Sequence, residues 1–356
     1  MTATTENNNN NNILTIQQAI RQSVSPAKLQ QWLKINPYRA YWELTINWQG
    51  IIVAFLAVFW IPRFWMYAIA FLVIGTCQYK LFILAHDAIH NALHPNKKVN
   101  DFLARWLVYG PMFMALEDAR RNHLKHHQFM GTAEDPDRYL HTFYQKNAPF
   151  QFLLFCSGLA TFGKTVLKVT PFGKLLKLEK PLPPNPPLLR DEGGNVLNSS
   201  LGSSQRGRGQ NLTSVQHALT DYFQQRFPVF IAQLLILSLI WISPLPLWSY
   251  LVLWIAPIYF LVFVPDEIRA FCDHAVLEFP DDRGDARRLV TFRPNFIEAI
   301  FFSPHHMNYH AEHHLWSAIP HYNLPKAHEF VKGRGEVTIR GSYLAFLGKV
   351  LRSLPL

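Results

Sequence analysis

Uncharged apolar runs constrain this chain more than any other feature of its sequence. Residues 228–264 contain no charged side chain, and only the segment Ser243-Pro244-Leu245-Pro246 interrupts their apolar character. The proline break predicts two helices joined by a tight turn, which together form one helical hairpin. Buried helices of a soluble protein are the alternative, but uncharged runs of this length rarely occur there.

A second hairpin is predicted nearer the N-terminus. Residues 44–62 carry no charge, Arg63 interrupts them, and residues 64–85 contain only Lys80, near their end. A helix over residues 64–85 would be about 33 Å long, enough to cross the hydrocarbon core of a bilayer. The mean hydropathy of +0.01 is too low for a chain that lies wholly in lipid. The sequence therefore predicts an all-α integral membrane protein with two transmembrane helical hairpins (four spans) and a cytoplasmic helical cap.

The remaining segments divide the chain into four parts. The N-terminal part is polar and partly disordered because of its asparagine run, and it has neither the charged start nor the short apolar stretch of a cleavable signal peptide. A proline-rich and then Gly/Ser-rich stretch predicts a flexible linker between the hairpins. Shorter apolar stretches at 102–116 and 150–162 predict helices in the membrane interface. The predicted parts are 1–43 (polar segment, with a short helix at 13–34), 44–175 (first hairpin), 176–214 (linker) and 215–356 (second hairpin and C-terminal cap).

The basic residues predict the orientation. The two hairpin turns carry only Arg63, whereas the opposite side carries most of the lysines and arginines near the spans. By the positive-inside rule, both termini and the region between the hairpins are then cytoplasmic. The net charge of +10 is accounted for in this way, so no nucleic acid partner is predicted. The basic residues on that side are Lys80, Lys97, Lys98, Arg105, Arg120, Arg121, Lys125 and Arg226.

Three clusters of histidines follow the predicted spans. His86 and His90 are four residues apart, and two His-x-x-His-His motifs begin at His123 and His310. Residues three or four apart share one face of a helix, so each cluster presents its imidazoles together. His274 follows the fourth span. A lone histidine is usually an ordinary core or surface residue, but three such clusters on one side of a membrane are not explained in that way.

The number of histidines predicts two metal ions. Neutral imidazole is a good ligand for iron, copper, zinc and nickel, and one zinc ion takes only about three or four ligands. Nearby acids are predicted to orient the rings by accepting their second N–H groups. His94 and His306 are weaker candidate ligands, and His141, His217, His305, His321 and His328 are interpreted as ordinary. The nearby acids are Asp87, Glu117, Asp118, Asp135, Asp137, Asp273 and Glu312.

The motifs HDAIH, HLKHH and HAEHH, in this order, resemble the three histidine boxes of membrane fatty acid desaturases and hydroxylases. Residues 308–325 are similar to the third-box region of acyl-lipid desaturases, and the resemblance covers about residues 45–330. It implies four spans, two iron ions under a cytoplasmic cap, and a reaction that uses O2 and two electrons. No catalytic residue is predicted beyond the ligands. The implied iron ligands are His86, His90, His123, His126, His127, His274, His310, His313 and His314.

Departures from the family pattern leave the substrate open. Trp316-Ser317 stands where the family often has Phe-Pro, and residues 81–90 and 131–137 are also similar to carotenoid ketolases and hydroxylases. The first hypothesis is an O2-dependent di-iron desaturase that introduces a C=C bond into an acyl chain of a membrane lipid. The alternatives are a carotenoid ketolase or other lipid hydroxylase of the same superfamily, and a non-catalytic metal transporter or sensor. A transporter should carry ionisable groups inside its spans, and residues 44–62 and 228–264 carry none.

The electrons are predicted to come from a separate protein, either a ferredoxin or a cytochrome. The chain lacks the His-Pro-Gly-Gly signature of a fused haem domain. The basic residues Lys97, Lys98, Arg105, Arg120 and Arg121 are predicted to dock an acidic ferredoxin. The positive-inside bias alone is the alternative explanation for these charges.

Overall fold

The computed structural model describes residues 17–146, 148–169, 212–275 and 289–354. Within these ranges it is mostly helical, and four helices are long and apolar enough to cross a membrane. This confirms the predicted all-α architecture with four spans. We name the helices span 1 (Pro37–Trp60), span 2 (Phe64–Ile89), span 3 (Leu212–Ile242) and span 4 (Trp248–His274).

Shorter elements surround the spans. Two turns of π-helix, Leu251–Ile255 and Ile258–Phe263, lie within span 4. Helices 17–22 and Pro26–Leu33 precede span 1. Between spans 2 and 3 lie Lys97–Ala104 with its π-helical extension Arg105–Tyr109, and then Leu116–Phe129, Tyr139–Lys146, Pro149–Cys156 and Leu159–Val169. After span 4 lie Phe296–Phe301, the 3-10 turn Pro304–His306, His310–Leu315, the 3-10 turn His321–Asn323, Leu324–Val331 and Tyr343–Ser353.

Polar caps decide where several of these helices begin. The Asn36 side chain accepts a hydrogen bond from the Tyr38 N–H, and Pro37 occupies the first helical position. Span 1 therefore begins earlier than the predicted boundary at residue 44. Its polar first turns are stabilised by an ion pair of 2.6 Å between Arg39 and the buried Glu43. The polarity of these turns is the reason that hydropathy alone places the boundary too late.

Other boundaries also differ from the predictions. Span 3 continues through Pro228, where the sequence predicted a start, because a proline interrupts only one backbone hydrogen bond of a long helix. The predicted linker lies outside the described residues except for 212–214, which begin span 3. The described part of the predicted helix at 13–34 is two helices, separated at Ser25. In the predicted interfacial helix at 102–116, the helix ends before Gly110. The predicted helix at 150–162 is two helices separated by Gly158, whose φ is +69°.

The spans pack tightly on one side and expose apolar side chains on the other. A Cβ atom added at Gly75 of span 2 would lie 2.4 Å from the Leu261 side chain of span 4, so the glycine permits this close approach. At the ends of the hairpins, Trp60 and Trp241 are 76% and 71% exposed. Large exposed aromatic residues at span ends are typical of the membrane–water interface.

The cap contains two short strands that the all-α prediction did not include. Val290–Phe292 pairs in parallel with Thr338–Arg340, and three residues are too few to produce a recognisable alternation. The Arg340 side chain donates to the backbone carbonyls of Cys272 and Ala275, both at 2.9 Å. The sheet is thereby attached to the last turn of span 4, which carries His274.

Candidate metal centre

Four elements bring the nine predicted histidines together. His86 and His90 lie at the end of span 2, and His274 is the last residue of span 4. The other two elements are the helices Leu116–Phe129 and His310–Leu315, each carrying one His-x-x-His-His motif on a single face. Together these nine residues are called the nine-histidine cluster. Their role as metal ligands stays a prediction, whereas their convergence is a property of the structure.

One half of the cluster lies beside span 2. A nitrogen of His86, His90, His123 and His313 lies within 4.8 Å of each of the others, which is close enough for one metal ion. His127 joins this half, because its Nε2 lies 3.0 Å from His123 Nε2 and 2.9 Å from His313 Nε2. Five imidazoles from three elements therefore face one another.

The other half lies beside span 4. Nitrogens of His126, His274 and His314 lie within 4.8 Å of one another. His310 joins them, since its Nε2 lies 3.0 Å from His274 Nε2 and 2.9 Å from His314 Nε2. The two halves adjoin at His127 and His314, whose ring centroids are 4.4 Å apart. The arrangement is therefore two adjoining groups of donors.

The donors fit metal ions. Two nitrogens that each lie about 2.1 Å from one ion are about 3.0–3.4 Å apart, the spacing seen between these Nε2 atoms. Among the described residues, His86 Nδ1, His90 Nε2 and His274 Nδ1 are buried without a hydrogen-bond partner. Burial, with the Arg120 charge, lowers the pKa of His90 to about 3, and burial also holds the pKa of His123 and His127 well below its usual value. Neutral imidazoles are the form that binds metals.

One of the nearby acids hydrogen-bonds a ring of the cluster, and two others lie slightly beyond hydrogen-bond distance. His126 Nδ1 donates to Asp135 Oδ1 at 2.9 Å, and both side chains are buried. His310 Nδ1 lies 3.6 Å from Asp273 Oδ2, and Asp137 Oδ2 lies 3.7 Å from His126 Nδ1. A carboxylate on the second ring nitrogen fixes the orientation and tautomer of a ligating histidine.

The other four acids bind elsewhere. Glu117 pairs with Arg105, and Asp118 pairs with Arg121 and Arg226. Glu312 accepts from His328 at 2.7 Å and from the Thr291 hydroxyl at 2.5 Å, and so ties the third histidine motif to the sheet. Asp87 accepts from His321. These four acids are close in sequence to the histidine motifs, but their carboxylates do not contact the rings of the nine-histidine cluster.

Two arginines that the sequence analysis did not assign to the site close helices that carry the cluster. Arg120 donates to the carbonyls of Ala88 and Ile89 at 2.8 and 3.1 Å, at the end of span 2. Arg21 donates to the carbonyls of His314 and Leu315 at 2.9 and 2.6 Å. Carbonyls in the last turn of a helix lack intrahelical partners, and these guanidinium groups supply them. In the sequence each is only a basic residue. Its carbonyl partners are distant along the chain, so a local pattern does not reveal them.

The remaining histidines lie outside the nine-histidine cluster. His94 accepts from the Asn96 N–H in a turn, and His306 is exposed, so neither weaker candidate ligand joins the cluster. His141 lies beside it, 3.6 Å from Asp135 and with its ring 5.2 Å from that of His274. The side chain of His217 lies outside the described part of the chain. His305 and His321, interpreted as ordinary, form a separate group with Glu43.

The predicted basic docking surface is largely neutralised by neighbouring acids. Lys97 and Arg120 both pair with Asp101, at 2.9 and 2.6 Å. Arg105 pairs with Glu117, and Arg121 with Asp118. Lys98 is exposed. Docking of a ferredoxin on this surface stays a prediction, but four of its five cations have structural partners.

Comparison with known proteins assigns the family. The model of the fatty acid desaturase family matches residues 62–337, which contain spans 2 to 4 and the whole nine-histidine cluster. The chain is also 24% identical, over 291 residues, to the sn-1 acyl-lipid omega-3 desaturase (ferredoxin) of Synechocystis sp.. That alignment covers 80% of this chain and 72% of the relative. The chain belongs to the fatty acid desaturase family, whose members are oxidoreductases.

Proposed function

We propose that this protein is an O2-dependent di-iron desaturase that introduces a C=C bond into an acyl chain of a membrane lipid. The observation that carries the proposal is the nine-histidine cluster, in which two adjoining groups of imidazole donors lie where spans 2 and 4 end. One metal ion needs fewer donors than this cluster offers. The relative from Synechocystis is named as an acyl-lipid desaturase, which supports the substrate class.

The residues of the chain would hold and shield the metals. Bound iron would supply the reactivity with O2 that generates an oxidant strong enough to break the C–H bonds of a methylene, a reactivity that side chains lack. Asp135 fixes His126 so that Nε2 faces the other donors. Arg120 and Arg21 hold the helix ends that present the first and third histidine motifs. Burial of His126, His313 and His314 excludes bulk water from the donors.

We further propose that the cluster faces the cytoplasm. The turn of the first hairpin carries Arg63 and that of the second, residues 243–247, carries no charge, whereas the ends bearing the histidines are rich in lysine and arginine. A site at the ends of spans is accessible to a lipid from the membrane and to a soluble electron donor. The name of the Synechocystis relative specifies ferredoxin, so we propose a ferredoxin-type donor.

Expression in a host that lacks the activity tests this function. Mass spectrometry of total lipids and pigments should show new double bonds in acyl chains, and His313→Ala should abolish them. His306→Ala is the matched control, because it removes an exposed histidine outside the cluster. Hydroxylated acyl chains, altered carotenoids or unchanged lipids from folded protein would each contradict the proposal.

Metal analysis supplies a second test that does not depend on the host. Active protein purified in detergent should contain two iron ions per chain in the nine-histidine cluster. His126→Ala and His313→Ala each remove a donor from a different half of the cluster. Each should reduce the iron content, whereas His306→Ala should not. Active protein with one iron or none would rule out the dinuclear centre.

A further inference from the structure

A second group of histidine and carboxylate side chains lies outside the nine-histidine cluster. Glu43 comes from span 1, His305 from the 3-10 turn Pro304–His306, and His321 from the 3-10 turn His321–Asn323. One oxygen of Glu43 and one nitrogen of each histidine lie within 4.8 Å of one another. Three elements that are distant in sequence thus converge on one point. None of these residues has a role in the proposed desaturase centre.

Two atoms of this group lack the partners that buried polar atoms normally have. Among the described residues, Glu43 Oε2 and His305 Nε2 are buried and have no hydrogen-bond partner. Glu43 is only 5% exposed and His321 only 2%. Arg39 donates to the other Glu43 oxygen, Oε1, at 2.6 Å. A buried polar atom without a partner is unfavourable, so an additional ligand at this point would stabilise the fold.

The His321 ring is oriented as a metal ligand would be. Its Nδ1 and its backbone N–H both donate to Asp87 Oδ2, at 2.7 and 3.0 Å. A carboxylate that accepts from one ring nitrogen is the usual support of a histidine that binds metal through the other. The other ring nitrogen, Nε2, faces Glu43, lies 3.3 Å from each of its oxygens and donates a hydrogen bond to Oε1, so a metal ion bound here would replace this hydrogen bond.

The backbone of the third residue is held in an uncommon conformation. His305 has a φ of +53° and the following His306 a φ of +62°, in the left-handed region that non-glycine residues rarely adopt. This conformation places the His305 ring with its centroid 4.7 Å from that of His321. Strain of this kind persists only where the surroundings enforce it, and it is common at ligand sites.

We propose that Glu43, His305 and His321 bind one divalent first-row transition-metal ion, represented by Zn²⁺, in a site separate from the nine-histidine cluster. Two imidazoles and one carboxylate are an established donor set for zinc and for non-haem iron. Such an ion would satisfy Glu43 Oε2 and His305 Nε2. It would also join span 1 to the segments on either side of the third histidine motif. The proposal does not depend on the reaction that the nine-histidine cluster catalyses.

Zinc content of the full-length protein in detergent tests the proposal. After loading with Zn²⁺ and dialysis, the wild type should retain one zinc ion per chain more than His305→Gln and more than Glu43→Gln. His306→Gln is the matched control, since it changes the neighbouring histidine of the same strained turn but not the site, and it should retain the wild-type content. Equal zinc in the wild type, His305→Gln and Glu43→Gln would overturn the proposal.

A measurement on the wild type avoids any dependence on how the variants fold. Anomalous X-ray scattering at the zinc edge should show an ion between Glu43, His305 and His321 in zinc-loaded crystals. The absence of an anomalous signal between these three residues would overturn the proposal. The group would then be held by hydrogen bonds alone, with a doubly protonated His321 that bridges Asp87 and Glu43.

Discussion

Asp135 and His126 form a buried pair in which the imidazole Nδ1–H donates to the carboxylate at 2.9 Å. The carboxylate is itself held by the backbone N–H groups of Gly131 and Asp137, at 2.7 and 2.8 Å. Burial alone would raise the pKa of Asp135, but these hydrogen bonds, with His141 nearby, hold it well below its usual value. The pair therefore presents a charged acceptor in a fixed position.

Replacing Asp135 with Asn should weaken the metal centre without removing a ligand. Loss of a carboxylate behind a ligating histidine typically costs about 10–100-fold in metal affinity or activity. We expect a loss of that size in iron affinity and in product formation. Iron titration of purified protein and lipid analysis of the expression host measure the two quantities.

Asp137→Asn is the matched control for this change. Asp137 lies in the same loop, but its side chain is 42% exposed and 3.7 Å from His126. The Asp137→Asn variant should therefore retain nearly wild-type iron affinity. If both variants lose iron equally, the loop as a whole matters and the specific role of Asp135 is refuted.

Arg120→Gln should destabilise the end of span 2. The guanidinium group binds two carbonyls of the last turn as well as Asp101, and hydrogen bonds to charged groups contribute about 1.5–3 kcal/mol each. We expect a lower thermal unfolding midpoint and reduced iron retention. Arg121→Gln, which removes only a partly exposed pair with Asp118, should change the midpoint little. Equal midpoints for the wild type and Arg120→Gln would refute this role of Arg120.

The sequence predicted the elements of this fold better than their contacts. The four spans and the shared helix face of each histidine motif were predictable, because hydropathy and the spacing of residues along a helix are local properties. The convergence of the nine histidines was predicted from their common side of the membrane and from the resemblance to desaturases. The start of span 1 was not predictable, because its polar first turns depend on a cap at Asn36 and on the pairing of Glu43 with Arg39.

The supporting residues of the site could not be predicted for the same reason. Arg21 reaches the third histidine motif from a helix almost 300 positions earlier, and nothing in its own segment indicates that target. His321 and His305 resembled ordinary isolated histidines, because their partner Glu43 lies in the first span. Contacts between distant segments set these roles, whereas periodicity reports only on neighbours along one element.

Acidification should destabilise the metal-free protein. The pKa of His90 is lowered to about 3, first by burial and then by Arg120, whereas a histidine in the unfolded chain titrates near about 6.5. The stability contributed by the neutral ring is therefore complete above about pH 6.5 and decreases as the pH falls toward 3. Each such histidine costs up to about 1.4 kcal/mol per pH unit in that window.

Thermal unfolding of metal-free protein between pH 8 and pH 5 checks this expectation. The midpoint should fall as the pH is lowered below about 6.5. His90→Gln removes one of the titrating groups, so its midpoint should fall less steeply with pH. A midpoint that stays constant or rises down to pH 5 would show that the histidines are not held neutral by the fold.

The contact between Gly75 and Leu261 makes the packing of spans 2 and 4 testable. A Cβ atom at position 75 would lie 2.4 Å from Leu261 Cδ1 and 2.7 Å from Leu261 Cβ, so Gly75→Ala must push the two helices apart or displace the leucine. Overpacking of this kind costs about 1–3 kcal/mol, and we expect a lower unfolding midpoint in detergent. Because spans 2 and 4 carry His86 and His274, iron retention should fall as well.

A second substitution separates this steric cause from a general effect of alanine. In the double variant Gly75→Ala/Leu261→Ala the obstructing Cδ1 and Cγ atoms are removed and only the Cβ of residue 261 remains close, so part of the lost stability should return, and the two changes should not be additive. Gly348→Ala serves as the control within another helix, because a Cβ atom there meets nothing within 4 Å. It should be neutral or stabilising, since alanine favours the helix over glycine. If Gly75→Ala is as harmless as Gly348→Ala, the two spans do not pack as closely as this contact requires.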